Sequence, residues 1–408
     1  MSESRSRQVI IAGAGVAGLI AAVAFARKGF SVRVYEKSPQ LDEIGAGVQL
    51  SPNATRLLAS LDLLEPVLPA ASFPSAVVLR SGRRRSLKDL ARVPLGEAAE
   101  RRWGSPYVVI HRADLQSALI AQAVREGDVT ITTGAAVRDM AVHSMGVTAS
   151  IDLDGRIIEA KGLLLIGADG VWSSIRALAG ETGRSRPSGR IAWRATIPVD
   201  GPQAATLAEI GATRDVTAFL LPNAHLVCYP IRGGRAVNLV AITQGEVAPG
   251  WGGNPDPYAL RSAFGRAAPR LKTLIDDVTN WTAWPLHTVE PTIPWTIPGG
   301  VALIGDAAHA MMPYAAQGAA MAIEDAVRLA DHVAGAPSDL GKALAAWDAE
   351  RRPRILKVVK RGALNERAWH ARGLTALGRN IVLGSRSPER LAGDLDWLYG
   401  WRPPAEPA

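Results

Sequence analysis

The sequence of 408 residues contains one cysteine, Cys228. A single thiol can form neither an intrachain disulfide nor a thiolate zinc cluster, so metal ligation of that kind is excluded. The scarcity fits a reducing compartment and predicts a cytoplasmic protein. Long apolar runs are also missing. No stretch reaches the roughly 20 residues a membrane-spanning helix needs, so stable membrane insertion is not expected. The polar start MSESRSRQ runs at once into VIIAGAG and reads as leaving no room for a cleaved leader. Aromatic residues are only 5% of the chain, and charged residues 21% against 48% hydrophobic, which are globular proportions. The formal charge is +8, with arginines clustered in RSGRRRS (80–86) and RRPR (351–354). Neither cluster is interleaved with aromatics. They read as a solvated hairpin turn and a solvated helix face, so no nucleic-acid partner is expected. A positive surface would instead help to steer an anionic ligand.

What the chain does contain is a succession of apolar strands and small-residue helices. QVIIA, GAGVAG, LIAAVAFARKG and SVRVYE read as strand, glycine turn, helix and strand, the pattern of a buried parallel unit. SPNATRLLASLDLL is a helix opened by Ser51 and Pro52. Residues 73–111 alternate like a small antiparallel sheet, and HRADLQSALIAQAVRE is an amphipathic helix. Short strands with turns at Gly134, Gly146 and Gly155 lead into the apolar GLLLIGADG. Residues 189–288 are β-rich with a helical interruption around 256–276. Residues 299–335 return to strand and helix, and 338–398 is helical, punctuated by Pro353 and Pro388. The expected fold class is α/β with an α+β insert. A discontinuous Rossmann-like dinucleotide domain would take 1–72, 100–180 and 289–335, and a β-sheet substrate domain 73–99 and 181–288. A helical C-terminal region would follow over 336–408.

The glycines of Gly13-Ala14-Gly15-Val16-Ala17-Gly18 suit a tight turn, a pyrophosphate approaching the backbone, and a helix packed on the sheet. Glu36 ends the next strand, where an acid can bond a ribose hydroxyl. Two further acids stand at strand tips, Asp169 in GADGVWSSIR and Asp306 in GDAAHAMMPYAAQG. Together they suit a ligand longer than a nicotinamide dinucleotide, with a polyol chain to hold.

In their order and spacing, GAGVAG with Glu36, GADG and GDAAH resemble the fingerprints of the class A flavoprotein aromatic hydroxylases, of the p-hydroxybenzoate hydroxylase fold. The resemblance covers essentially the whole chain and implies bound FAD, NADH or NADPH as a transient co-substrate, O2, and a small aromatic substrate. It implies that Asp306 holds the ribityl chain and that Pro313 lies beside the isoalloxazine. Gly318 and Ala319 would open a helix whose positive end faces the pyrimidine carbonyl. Arg112 would contact the FAD backbone with Gln116 one turn on, and Ala17, Lys37, Val48 and Asp169 would complete the cofactor set. Within the family, IGAGVQLSPNA (44–54), YVVIHRADL (107–115), HLVCYP (225–230) and PYAAQGA (313–319) are most similar to salicylate 1-hydroxylase, 3-hydroxybenzoate 6-hydroxylase and 6-hydroxynicotinate 3-monooxygenase.

In a strand, His225 and Tyr229 face the same way and Cys228 faces the other. By resemblance, His225 is the base that takes the phenol proton, with Tyr229, Gln317, Tyr107 and Gln49 lining the pocket. The chemistry suits it, because a C4a-hydroperoxyflavin is an electrophile and a phenolate is a better nucleophile than a phenol. Arg194, in AWRATIP, is the candidate for a substrate carboxylate. Ala310 stands where many relatives carry proline. Gln49 stands where the hydroxynicotinate enzymes place histidine, which weighs against a pyridine substrate.

Three rival readings share parts of this pattern. A flavin halogenase carries Trp-x-Trp-x-Ile-Pro, and WRATIP (193–198) has Ala195 at the second tryptophan. A hydroxylase of a hydrophobic quinone precursor would use a greasier pocket. The apolar faces of LTALGRNIVLG and ERLAGDLDWLYG read instead as core or homodimer surface. A non-enzymatic dinucleotide-binding protein would have no use for Asp169 and Asp306.

Overall fold

QVIIA, LLIG and VAL carry almost no polar residue, and each is a strand buried on both faces. They lie together in a six-stranded sheet of the computed structural model, which describes residues 7–41, 46–83, 87–144, 146–180, 185–245 and 257–404. The order across the sheet is Thr296–Ile297, Val301–Leu303, Leu164–Gly167, Gln8–Ala12, Ser31–Tyr35, Val129–Thr132. All neighbours are parallel except the first pair. The small residues of helix Val16–Arg27 let it pack closely against helix Gly318–Gly335. A three-stranded meander, Ala135–His143, Gly146–Leu153 and Arg156–Gly162, precedes Leu164–Gly167.

A second, seven-stranded sheet runs Thr282–Thr288, Arg186–Pro198, Ala236–Gln244, Ala224–Ile231, Val216–Leu221, Ala76–Ser81, Asp89–Pro94. Its alternation separates two environments. Trp193, Leu226, Cys228 and Leu239 form a core with Leu260, Leu271 and Leu274 of the helices Tyr258–Ala263 and Pro269–Asp277. Tyr229, on the opposite face, belongs to the core shared with the six-stranded sheet.

Three local expectations are corrected. Residues 73–111 do not form one small sheet. Ala76–Ser81 and Asp89–Pro94 join the seven-stranded sheet, Glu97–Trp103 is a helix, and Val108–His111 pairs with Gly47–Leu50. Gly96 and Gly104, both at positive φ, bracket that helix of good helix formers. Pro353 does not punctuate the C-terminal region. One helix, Leu340–Trp369, runs through it for 30 residues. A helix-interior proline costs about 3 kcal/mol, and here the arginines on either side make buried ion pairs that need the helix continuous. RRPR is accordingly no solvated face, because Arg351 is fully buried and Arg354 nearly so. In the other cluster Arg80 pairs with Asp89, and residues 84–86 lie outside the described residues. Among the described residues, no helix is long and apolar enough to cross a membrane.

Candidate active site

Parallel pairing puts the carboxyl ends of four strands on one edge, so the turns after Ala12, Tyr35, Gly167 and Leu303 are neighbours. Gly13 has φ +104, and a Cβ there would lie 2.6 Å from the Ala168 carbonyl oxygen. A Cβ on Gly18 would meet the Gly13 carbonyl oxygen at 1.9 Å, so the helix packs directly on the turn. Gly15 would meet nothing within 4 Å. Its open side faces a cleft of about 660 Å³ lined by Glu36, Lys37, Arg112, Gln116 and Asp169.

The polar groups of this cleft are held in place by backbone. One Glu36 oxygen accepts from the Ala14 N–H and the other from the Ser38 N–H, both at 2.8 Å. Gln116 donates to the Ala14 carbonyl at 2.9 Å, and its own carbonyl oxygen is buried without a partner among the described residues. Asp169 Oδ2 accepts from Ser174 and Ile175, while its Oδ1 is likewise buried and unpartnered. A glycine floor for a pyrophosphate, a carboxylate at the ribose position and two spare acceptors for hydroxyls fit FAD. Arg176 donates to the Ala307 carbonyl at 2.7 Å and so ties GADG to GDAAH directly. Asp306 is exposed as the first residue of Asp306–His309 and does not line the cleft. Neither do Ala17, Val48, Pro313, Gly318 and Ala319. Ala17 lies against Gly305, Val48 is on Gly47–Leu50, Pro313 opens the turn Pro313–Ala315, and Gly318 and Ala319 start the helix Gly318–Gly335.

The Gln317 side chain is held by other side chains. Its amide nitrogen donates to Ser51 Oγ at 2.9 Å and its oxygen accepts from Asn53 at 3.2 Å. Asn53 also donates to Glu324, at 2.8 Å. Glu324 and Asp325, both 0% exposed, pair with Arg351, and Glu324 pairs with Arg354 as well. Asp325 accepts from His309 at 2.6 Å and from the Gly305 N–H at 3.1 Å. Burial alone would raise the Asp325 carboxyl, but His309 and Arg351 hold it down at about 2. One buried network therefore braces Ser51–Asn53, the GDAAH turn and the start of helix Gly318–Gly335. Sequence reading missed it. The available signal was the acidic pair inside the apolar stretch AMAIEDAV.

On the seven-stranded sheet His225 pairs across to Ile242 and Tyr229 to Asn238. His225 is 2% exposed, and its Nδ1 lies 2.9 Å from Nε2 of His370, at the end of helix Leu340–Trp369. Trp369 packs edge-on against the His225 ring at 5.0 Å, and Tyr314 lies at 5.4 Å. Arg190 pairs with Glu366 at 3.1 Å, and Glu366 accepts from the Tyr314 hydroxyl. Burial pushes the His225 imidazole well below its usual pKa, and the neighbouring His370 and the Arg190 guanidinium act in the same direction. The ring is therefore neutral at neutral pH. None of His370, Trp369, Tyr314, Arg190 and Glu366 was legible locally, since 145 residues separate the two histidines.

Gln49 lies between Tyr107, which donates to it at 2.6 Å, and Tyr229. Arg194 is beside Tyr229 and stacks over Trp284 at 5.6 Å. Tyr229 also sets the position of Gly47, whose N–H donates to Asn238 at 2.6 Å. A Cβ on Gly47 would come within 2.5 Å of the Tyr229 ring. Gly47→Ala is expected to displace that ring at an overpacking cost of about 1–3 kcal/mol. In steady-state kinetics KM for the aromatic substrate should rise several-fold while the protein still retains FAD. An unchanged KM would show that Tyr229 does not shape the pocket.

The family described as "FAD binding domain" matches residues 6–362. The chain is 35% identical over 396 residues to 3-hydroxybenzoate 6-hydroxylase of Polaromonas naphthalenivorans, covering 96% of each protein. Among solved structures it resembles Klebsiella pneumoniae HpxO complexed with FAD and uric acid, with a TM-score of 0.81 and 25% identity over 95% of both chains. It also resembles a salicylate hydroxylase substrate complex, with a TM-score of 0.80 and 25% identity over 98% of this chain and 97% of that one. With the glycine floor, the two acid-tipped strands and this likeness along almost its whole length, the chain belongs to the FAD-binding family of flavin-dependent aromatic monooxygenases.

Proposed function

We propose that the protein hydroxylates a small phenolic aromatic acid, with FAD bound and NADH or NADPH as the transient reductant. The observation that carries this reading is His225. A neutral imidazole is held by His370 on the same sheet face as Tyr229, with the rings of Trp369 and Tyr314 packed against it. Glu36, Gln116, Asp169 and Asp306 would hold the ribose and ribityl hydroxyls, with Lys37 and Arg112 along the phosphates. Bound FAD would accept electrons from NAD(P)H and activate O2 for transfer to the ring.

The remaining work falls to the chain. Nδ1 of His225 is engaged by His370, which leaves Nε2 to accept the phenol proton. Loss of that proton turns the ring into a stronger nucleophile at the carbons ortho and para to the oxygen. Tyr229, Gln49 and Tyr107 would orient the ring, and Arg194 would meet the carboxylate. Pro313, Val48, Gly318 and Ala319 would border the flavin, the helix beginning at Gly318 offering its positive end. Gln317 would act by fixing Ser51 and Asn53. The seven-stranded sheet would be the substrate domain, with the boundaries 73–99 and 181–288. A cytoplasmic location and a homodimer belong to the same reading.

The test is NADH and NADPH oxidation by the purified FAD-loaded protein, with product measured alongside because leaked peroxide imitates turnover. The panel holds 3-hydroxybenzoate, salicylate, a hydroxypyridine and uncharged phenols. Stimulation and hydroxylated product with an aromatic acid are expected. Product from uncharged phenols alone would move the reading to a hydrophobic quinone precursor and remove the carboxylate.

A further inference from the structure

The contact between His225 and His370 joins two parts of the chain that share no motif. His225 is on a central strand of the seven-stranded sheet, and His370 caps the helix Leu340–Trp369. Both side chains are buried, and the 2.9 Å separation of Nδ1 and Nε2 requires one hydrogen between them. An imidazole can serve as a base at Nε2 only if its own proton is on Nδ1. That tautomer needs an acceptor at Nδ1, and the acceptor in this protein is another imidazole. A carbonyl oxygen could fix the same tautomer but could not take the proton over. His370 can do both.

We infer that His370 is the positioning residue of the base: its Nε2 holds the His225 proton on Nδ1, then takes that proton as the substrate phenol is ionised. This rests on reading His225 as the base. The step balances as two linked transfers. The phenol O–H bond breaks as its proton joins Nε2 of His225, and the His225 Nδ1–H bond breaks as that proton joins Nε2 of His370. The substrate leaves the step as a phenolate, His225 as a neutral ring and His370 as an imidazolium.

The groups facing the pair come from three elements. Arg190 is on the strand Arg186–Pro198, Glu366 is on the helix that ends at His370, and Tyr314 is in the turn Pro313–Ala315. Arg190 opposes a positive charge on the pair. Glu366, ion-paired to Arg190 and accepting from Tyr314, offsets that charge. The His370 Nδ1 is buried with no partner among the described residues, so the relay ends there. Burial and Arg190 lower the His370 imidazole to about 4, which keeps it an acceptor at neutral pH.

Two readouts test this in the FAD-loaded protein. With only seven histidines in the chain, nitrogen NMR of histidine-labelled protein can be assigned by substitution. His225 is expected as the Nδ1–H tautomer in the parent and as the Nε2–H form or a mixture in His370→Phe. The same tautomer in both would overturn the inference. With 3-hydroxybenzoate as the probe, hydroxylation by His370→Phe at neutral pH is expected to fall about 10- to 100-fold and to recover as the pH rises. His370→Gln keeps an acceptor for Nδ1 but no onward site, so it should retain the tautomer and still show the shifted pH profile. An unshifted profile in either FAD-containing variant would overturn the relay. His225→Ala run in parallel separates the two readings. If it too keeps the parent profile, the base assignment fails. If it alone loses activity, only the role of His370 fails.

Discussion

Arg351→Met is expected to destabilise the protein by about 3–5 kcal/mol, the usual cost of removing one partner of a fully buried ion pair. The guanidinium holds Glu324 through Nη1 and Asp325 through Nε, and all three side chains are 0% exposed. Methionine fills much of the same volume, so packing loss is small and the uncompensated carboxylates dominate. Denaturant unfolding of the FAD-saturated protein measures the effect. A loss below about 1 kcal/mol would mean that water reaches the cluster and screens it. If the start of helix Gly318–Gly335 borders the flavin as proposed, FAD retention should weaken too, because Glu324 anchors Asn53 and Asn53 anchors Gln317 just before that helix. A Glu324→Gln, Arg351→Met double variant is expected to lose less than the sum of the singles, as a coupled pair requires.

His225→Ala is expected to retain FAD and to lose hydroxylation by about 100- to 10,000-fold at neutral pH, the usual range for a removed general base. Activity should return in part as the pH approaches the substrate's own phenol pKa, about 10 for an unperturbed phenol. Product formation, followed against pH in both proteins, is the measurement. Parent-like product at neutral pH would remove His225 from the mechanism. A loss with no recovery at high pH would point to a ring that positions the substrate and takes no proton.

The same titrating groups set an order for acid unfolding. His225 and His370 lie below their ordinary values when folded, so the unfolded chain binds their protons first. Stability is then lost as the pH falls from about 6.5, the unperturbed value, toward the His370 value of about 4. Asp325 is depressed to about 2, so its contribution is present above its ordinary value of 3.8 and lost as the pH falls through that lower window.

How much of this was legible depended on the range of each interaction. GAGVAG and Glu36 could be read because turn, helix and strand are consecutive. GADG and GDAAH could be read because each acid follows its own apolar strand. His225, Tyr229 and Cys228 could be assigned to faces because alternation along one strand decides them. His370 had no such signal, since only the turn of the chain at the end of helix Leu340–Trp369 brings it to the sheet. RRPR was misread for a related reason. Charge alone suggests solvent, and only Glu324 and Asp325 on another helix reverse that. Pro353 misled in the same place, because a helix pinned by buried ion pairs on either side survives a residue that would end a free one.

The six-stranded sheet has a consequence for how the protein comes off the ribosome. Its neighbouring strands come from residues 8–12, 31–35, 164–167 and 301–303, and GDAAH follows the last of them. Gly13, Glu36 and Asp169 are synthesised long before the strand that places Asp306 exists. The helix carrying Arg351, which braces that turn through Asp325, comes later still. The early strands must wait with their apolar faces exposed, and parallel pairing over such separations is slow. The full six-stranded sheet is therefore expected to close only after residues 301–303 have been made. FAD supply during expression should set the yield of folded protein more strongly than it sets the rate at which the chain is made.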